Sequence, residues 1–376
     1  MRKLLLIVLL VVTSLAWGQP DAPGRWSRSK ANSWYRHQPW LFGPNYVPAN
    51  AINQLEMFQP ETFDPATIDK ELGWAEAMGI NTLRVFLHDL LWERDETAFK
   101  RNLDTFLAIC DKHHIRPMLV LFDSCWDPFP KMGRQPDPKL GVHNSGWLQS
   151  PGAHALADEG EYRRLEAYVR GIVRAFRKDK RVLAWDIWNE PDNPNTGSYG
   201  RREAADKAER VARLLPQVFQ WARSVKPIQP LTSGVWLAWE SRDWVNPAAW
   251  KPIEKIQLEN SDFISFHHYA DVNAFEKMAT SLQKLGRPVV CTEFLARSVN
   301  SRFQSHLPVA KKLNVGMMNW GFVAGKTQTF LPWDSWETPY TGGRNPSVWH
   351  HEILTPDGKP YLAEEVETIR RTTGKR

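Results

Sequence analysis

The stretch WDIWNEP at residues 185–191 is the most informative part of the chain. A mainly apolar run precedes an Asn-Glu-Pro triplet, and proline cannot continue a central strand. The pattern predicts a buried strand that carries the Glu190 carboxylate at its C-terminal end. A second apolar run, residues 288–292, leads into Glu293 in the same way. Parallel-barrel enzymes carry their catalytic groups at this end of their strands, so both glutamates are candidate catalytic residues.

Short apolar strands alternate with amphipathic helical stretches over most of the chain. The predicted strands are residues 41–46, 82–86, 117–122, 182–187, 231–235, 263–267, 288–292 and 316–320. The predicted helices are residues 65–78, 99–113, 160–177, 203–224, 273–285, 301–312 and 362–371. The unit after the fifth strand has no clear helical pattern. Eight such alternations predict an α/β fold, a (β/α)8 TIM barrel built on a parallel sheet.

Two connections are much longer than the usual length of about 2–6 residues. They are residues 123–159 after the third strand and residues 321–361 after the eighth strand. Both leave from strand C-termini, where the loops of a barrel form the walls of its pocket. We therefore expect a walled pocket for short or chain-end substrates rather than an open cleft.

The N-terminus has the features of a secretory signal. Residues 1–18 combine a basic start, an aliphatic run at 4–12 and a small-x-small pattern at 16–18. The alternative is an uncleaved anchor helix, but the run is shorter than the roughly 20 residues that span a bilayer. We predict a secreted or periplasmic enzyme that has no membrane contact after signal cleavage.

Residues 19–376 show no linker or repeat and are predicted to form a single catalytic domain and a monomer.

Composition narrows the choice of partners. The net charge is +6, but the basic residues are dispersed over predicted helices, which argues against nucleic-acid binding. Tryptophan is unusually common, with 19 copies, and aromatic rings on loops offer flat apolar faces to sugars.

Three cysteines do not make a disulfide framework, and Cys110 and Cys291 are expected to be small buried hydrophobes. The sequence gives no reason to expect a metal or another cofactor.

Two strand-end glutamates are suited to cleavage of a glycosidic bond. Retaining hydrolysis needs one protonated carboxyl to donate to the leaving oxygen and one ionised carboxylate about 5 Å away to attack the anomeric carbon. Arg84 and Tyr269 also lie at the ends of predicted strands. An arginine or a phenol that donates to a carboxylate lowers its pKa, so these residues could keep one glutamate ionised.

Several motifs occur in a fixed order on the predicted strands. They are Arg84 after the second strand, Asn189-Glu190-Pro191 after the fourth, His267 and Tyr269 after the sixth, Glu293 after the seventh and Trp320 after the eighth. In this combination the chain, from residue 41 onward, resembles the clan A retaining glycoside hydrolases, particularly family 5. The resemblance implies that Glu190 is the acid/base and Glu293 the nucleophile. It also implies that Arg84 and Tyr269 hold the nucleophile, while Asn189 and Trp320 contact the sugar.

The chain departs from the family pattern after the third strand. Family 5 usually carries a histidine there, whereas this chain has Asp123, and His143 and Asn144 are candidates to supply the missing polar contact. Loop tryptophans are either sugar platforms or packing residues. His267 and His268 are either site residues or core and rim histidines. The further predicted substrate contacts are Asp123, Trp126, Asn144, Trp147, His267 and His268.

The sequence thus predicts an exported retaining β-glycoside hydrolase acting on a glucan, mannan, xylan or a derived oligosaccharide. One alternative is a non-catalytic carbohydrate-binding barrel, which would need neither acid. Another is a metal-dependent hydrolase that recruits Asp123, His267 and His268, although the chain has no recognisable metal-ligand motif.

Overall fold

A computed structural model of the protein describes residues 22–237 and 244–375. Eight parallel strands alternate with helices, and their spatial order is β5-β4-β3-β2-β1-β8-β7-β6. The strands are β1 (Phe42–Asn45), β2 (Thr82–Phe86), β3 (Arg116–Asp123), β4 (Ala184–Asn189), β5 (Leu231–Thr232), β6 (Ile264–His267), β7 (Val289–Phe294) and β8 (Gly316–Trp320). The predicted (β/α)8 barrel is confirmed. The predicted signal peptide, residues 1–18, lies outside the described residues.

The barrel closes between β5 and β6. There the backbone N–H of Val235 donates to Ser265 O at 3.1 Å, and the N–H of His267 donates to Val235 O at 3.0 Å. At the amino-terminal ends of the strands, Met118, Val290 and Met318 belong to one buried cluster. These residues come from β3, β7 and β8, so they meet inside the barrel and fill it with side chains, as in other barrels of this kind.

Helices cover the outer face of the barrel. Within the described residues they are α1 (Arg28–Arg36), α2 (Gln54–Phe58), α3 (Pro65–Ala77), α4 (Asp89–Lys112), α5 (Ala153–Ala157), α6 (Tyr162–Phe176), α7 (Lys207–Ser224), α8 (Pro252–Asn260), α9 (Val272–Gln283), α10 (Phe303–Lys312) and α11 (Ala363–Thr373). No helix in this part of the chain is long and apolar enough to cross a membrane. Every residue of β4 is buried, as expected for a strand covered on both faces.

Helices α1, α2 and α5 were not predicted from the sequence, and two further differences concern α8 and α4. The unit after the fifth strand does contain a helix, α8, and half of its four buried residues are the polar Glu254 and Gln257, which obscured the apolar periodicity. Helix α4 begins at Asp89 rather than residue 99, because His88 Nδ1 accepts the N–H of Leu90 and starts a first segment. Asp95 has an extended backbone and separates that segment from the predicted one.

Candidate active site

Glu190 and Glu293 face the same cavity at the C-terminal end of the barrel. The cavity has a volume of about 410 Å³. One carboxylate oxygen of Glu190, one of Glu293 and one ring nitrogen of His267 all lie within 4.8 Å of one another. Glu190 follows β4 directly and has a left-handed backbone, with φ at 40°. Such a conformation costs about 1–3 kcal/mol in a residue other than glycine and is concentrated at functional sites.

Glu293 is held by a cation and a phenol. Arg84 Nη1 donates to its Oε1 at 2.8 Å, and Tyr269 Oη donates to its Oε2 at 2.8 Å. His267 Nδ1 lies 3.5 Å from the same Oε2. Burial raises the pKa of Glu293, the nearby Glu190 carboxyl adds to that rise, and Arg84 and Tyr269 act against it. This carboxyl therefore has the partners that stabilise its ionised form.

Glu190 has neutral neighbours. Asn193 Nδ2 donates to its Oε2 at 2.5 Å, and the Cys125 thiol lies 3.3 Å from the same oxygen. His267 Nδ1 is 2.7 Å from its Oε1, and burial lowers the pKa of this imidazole to about 4. Burial also raises the pKa of Glu190, with smaller opposing effects of Asn193 and Cys125. A carboxyl in these surroundings favours the protonated form required of a general acid.

Arg84 links the two glutamate strands from beneath the cavity. Its side chain is completely buried and donates to Asp186 Oδ2 at 2.9 Å and to Asn189 Oδ1 at 2.7 Å. Asn189 in turn donates from Nδ2 to Asp123 Oδ1 at 2.9 Å. The amide that precedes Glu190 is thus oriented by a cation on one side and a carboxylate on the other.

The structure brings most of the predicted contact residues to the cavity. Those that line it are Trp126, Asn144, Asn189, Glu190, His267, Tyr269, Glu293 and Trp320. Three others lie behind its wall. Asp123 accepts the Trp147 indole N–H at 2.7 Å, and Trp147 packs edge-on against Trp320, which lines the cavity. His268 packs against Phe275 instead. Asp123, Trp147 and His268, which were predicted to contact the sugar, are thus not among the residues that line the cavity.

Some cavity residues were missed in the sequence. Asn193 lies three residues after Glu190, so a polar residue close behind a strand-end acid was an available signal. Trp236 follows the fifth strand, and its indole donates to Asp192 Oδ1 at 2.7 Å. Cys125 and His351 also line the cavity. His351 lies in an irregular segment, where strand periodicity gives no information.

The ligand set of the metal-dependent alternative is not brought together. In the described residues, the group with metal-ligand spacing is Glu190, His267 and Glu293. Asp123 instead accepts bonds from Asn189 and Trp147. The atoms of the observed group are the same ones that a two-carboxylate hydrolysis would use, so chelator treatment remains the discriminating measurement.

A barrel with two adjacent buried carboxyls in a tryptophan-lined cavity defines a carbohydrate-cleaving class of enzyme. Residues 68–337 match the family model described as cellulase (glycosyl hydrolase family 5). The match covers well over half of the chain, and the chain belongs to this family. It is a glycoside hydrolase of the retaining type, as the sequence motifs predicted, and its substrate is a carbohydrate.

Solved structures show the same fold at low sequence identity. A β-1,4-D-mannanase from Cryptopygus antarcticus is 12% identical, with 90% of each chain covered and a TM-score of 0.58. A GH5_18 protein from Streptomyces cattleya in complex with Manβ1-4GlcNAc is 15% identical, covering 89% of this chain and 81% of that one, with a TM-score of 0.57. An exo-β-1,4-mannosidase from an Opitutaceae bacterium is 16% identical, covering 89% and 60%, with a TM-score of 0.56. No curated protein sequence matches the chain.

Proposed function

We propose that this protein is an exported β-glycosidase that works by double displacement, with Glu293 as nucleophile and Glu190 as acid/base. The observation that carries the proposal is the approach of the two carboxylates to within 4.8 Å. Retaining enzymes hold their carboxyl groups about 5–5.5 Å apart, whereas inverting enzymes need about 6.5–9.5 Å to admit a water. The spacing supports direct attack on the sugar.

The two roles follow from the neighbours of each acid. Glu293 has a guanidinium and a phenol bonded to its oxygens, so it is the carboxyl better suited to remain ionised and attack. Glu190 has an amide, a thiol and an imidazole, none of which carries a formal charge when the imidazole is neutral. It is the carboxyl better suited to hold a proton.

The proposed reaction has two steps. In the first, a Glu293 oxygen forms a bond to the anomeric carbon, the glycosidic C–O bond breaks, and Glu190 transfers its proton to the leaving oxygen. In the second, Glu190 takes a proton from water, whose oxygen attacks the anomeric carbon and releases Glu293. Trp320 and Asn189 line the cavity beside these acids, which supports their proposed contacts with the reacting sugar.

We propose β-1,4-mannosides as the first substrates to test, followed by the corresponding glucans and xylans. The support is that fold neighbours include a β-1,4-mannanase and an exo-β-1,4-mannosidase. Trp126, Trp320 and Trp336 line the cavity, and aromatic side chains there can pack against the apolar face of a sugar. Export rests on the signal pattern of residues 1–18.

The experiment that tests the mechanism compares two variants on an aryl β-mannoside with a good leaving group. Glu293→Ala should lose turnover and recover it with azide, giving a glycosyl azide of inverted configuration. Glu190→Ala should retain much of its first step, because this leaving group departs without protonation. Equal residual rates in both variants, with no azide rescue of either, would refute the assignment. Wild-type activity that disappears with chelator and returns with metal would favour the metal-dependent alternative.

A further inference from the structure

The two long loops bond to each other above the barrel. The backbone N–H of Asn144, in the loop after β3, donates to Thr327 O at 2.7 Å in the loop after β8. Tyr340 N donates to Gly141 O at 2.9 Å, and Gln328 Nε2 donates to Lys139 O at 2.8 Å. Strands β1 and β2 lie between β3 and β8 in the sheet order, so the joined loops span this side of the rim.

Asn144 presents an unsatisfied amide to the cavity. The residue is 1% exposed, and neither its Oδ1 nor its Nδ2 has a hydrogen-bond partner among the described residues. It lines the cavity and has a left-handed backbone, with φ at 48°. A buried amide without partners is destabilising, and a ligand with both donors and acceptors would supply the missing hydrogen bonds. A sugar hydroxyl pair supplies both.

Two histidines beside Asn144 have fixed tautomers. His143 Nδ1 lies 2.7 Å from Leu331 O, and His351 Nδ1 contacts Leu295 O. A carbonyl oxygen can only accept, so each Nδ1 carries the proton and each Nε2 carries a lone pair. Burial lowers the pKa of His143 to about 4 and also lowers the pKa of His351, so both rings are neutral near pH 6. Both line the cavity as acceptors for hydroxyl groups.

The position of Asn144, His143 and His351 relative to the two acids decides which end of a substrate they contact. Glu190 protonates the leaving oxygen, so the departing part of the substrate lies near Glu190 and the loop after β4. The attacked sugar lies near Glu293 and Tyr269. His351 packs against Tyr269 with ring centroids 5.8 Å apart. His351 is therefore on the side of the attacked sugar, and His143, which precedes Asn144, packs against it with ring centroids 5.3 Å apart.

From these contacts we infer that Asn144, His143 and His351 form a subsite for the non-reducing terminal sugar of a β-linked chain. Its hydroxyls would donate to the two imidazole Nε2 atoms and pair with the Asn144 amide. The joined loops would leave no room for further sugars on that side. The inference rests on the proposed function and deepens it, because it makes the enzyme a chain-end glycosidase that releases mono- or disaccharides.

The first test uses two forms of an aryl β-1,4-mannotrioside, with the corresponding cellotrioside as a second series. One form is free, and the other has its terminal 4- and 6-hydroxyls closed as an acetal. Chromatography of initial products should show cleavage of the free form alone. Equal cleavage of both forms would overturn the terminal subsite while leaving the proposed function standing. If neither form is cleaved in either series, and the free aryl β-1,4-xylotrioside is not cleaved either, the proposed function and this inference are both overturned.

The second test removes the amide without disturbing the loop. Asn144→Gly keeps a backbone that tolerates positive φ and deletes the side chain. We expect kcat/KM on the free trioside to fall about tenfold to a hundredfold, the loss of roughly one to two hydrogen bonds to a substrate. The thermal midpoint should stay within a few degrees of wild type. The matched control is Asn345→Gly, at an exposed position in the loop after β8, which should keep wild-type kinetics. Wild-type kcat/KM in Asn144→Gly would refute the role of Asn144.

Discussion

The side chains that bond to Glu293 differ in how many other buried groups they contact. Arg84 also donates to Asp186, Asn45 and Asn189, all of them buried. Removing Arg84 would leave the Asp186 carboxylate buried without its cation, and breaking such a pair costs about 3–5 kcal/mol. An Arg84 variant would thus mix a loss of folding with any effect on the nucleophile. Tyr269 bonds through its hydroxyl to Glu293 and permits a cleaner test.

Tyr269→Phe should move the acid limb of the kcat/KM profile to higher pH. Its phenol stabilises the Glu293 carboxylate, so losing it raises the pKa of the group that must be ionised in the free enzyme. The basic limb, set by Glu190, should stay in place. Tyr35→Phe is the control, because its hydroxyl donates to Asn314 O away from the cavity. An unmoved acid limb in Tyr269→Phe would contradict the assignment of Glu293 as nucleophile.

At the scale of elements, the β5 strand is short and depends on side chains for its attachment to β6. Thr232 Oγ1 donates to Phe263 O at 2.9 Å and lies 2.7 Å from the Ser265 hydroxyl. Asp262 Oδ2 accepts the backbone N–H of Leu231 at 2.8 Å. All of these groups are buried, so the closure of the barrel at this point is held by polar bonds as well as by packing.

Thr232→Val should destabilise the protein by about 1–3 kcal/mol. The substitution keeps the shape of the side chain but removes a hydroxyl that bonds Phe263 O, leaving buried polar groups without their partner. Urea denaturation measures the change in the free energy of unfolding. Thr280→Val is the control, because that hydroxyl bonds within its own helix and should change the free energy by about 0.5 kcal/mol or less. Equal effects of the two substitutions would show that closure of the barrel between β5 and β6 does not depend on Thr232.

The sequence predicted the elements best where apolar periodicity was undisturbed. The bounds of β2 and β8 were predicted to the residue from short, mainly apolar runs. The fifth strand was predicted over residues 231–235, but regular pairing covers Leu231–Thr232 and resumes as a bridge at Val235. Side-chain bonds replace the missing ladder there, and apolar periodicity does not report such bonds.

The residues of the candidate site fall into two groups: strand-end residues whose meeting was predictable and loop residues whose meeting was not. Arg84, Tyr269 and Glu293 were predicted to meet because barrel geometry brings neighbouring strand ends together, and the structure places them within hydrogen-bond distance. No comparable geometric rule predicts which loop residues come together. The position of Asn144 depends on a bond to Thr327, more than 180 residues away in the chain, and His351 depends on Leu295. Asp123 was correctly placed at a strand end, but its carboxylate accepts hydrogen bonds from Asn189 and Trp147 and is not among the cavity-lining groups.

Over the whole molecule, buried ionisable groups make stability depend on pH. Burial raises the pKa of Glu71 to about 7 and that of Glu352 to about 8, from 4.5. As pH rises from 4.5 towards these values, the unfolded chain releases each proton while the folded chain retains it. The free energy of unfolding then falls by about 1.4 kcal/mol per pH unit for each group. Buried neutral histidines such as His143 have the opposite effect on stability. As the pH falls below 6.5 the unfolded chain binds the histidine proton before the folded chain does, so the free energy of unfolding decreases.

Glu352→Gln should therefore become more stable relative to wild type as pH increases from 5 to 8. Glu352 accepts from Thr329 through Oε1, and its Oε2 has no partner in the described part of the chain. Glutamine retains the acceptor and carries no charge to bury, so its contribution does not titrate. The difference in thermal midpoint between variant and wild type should grow steadily with pH, as measured by calorimetry at matched ionic strength. Glu367→Gln, on the exposed side of α11, is the control and should give a small difference that is the same at pH 5 and pH 8. A Glu352→Gln difference that does not change with pH would mean that Glu352 is not the group responsible for the alkaline loss of stability.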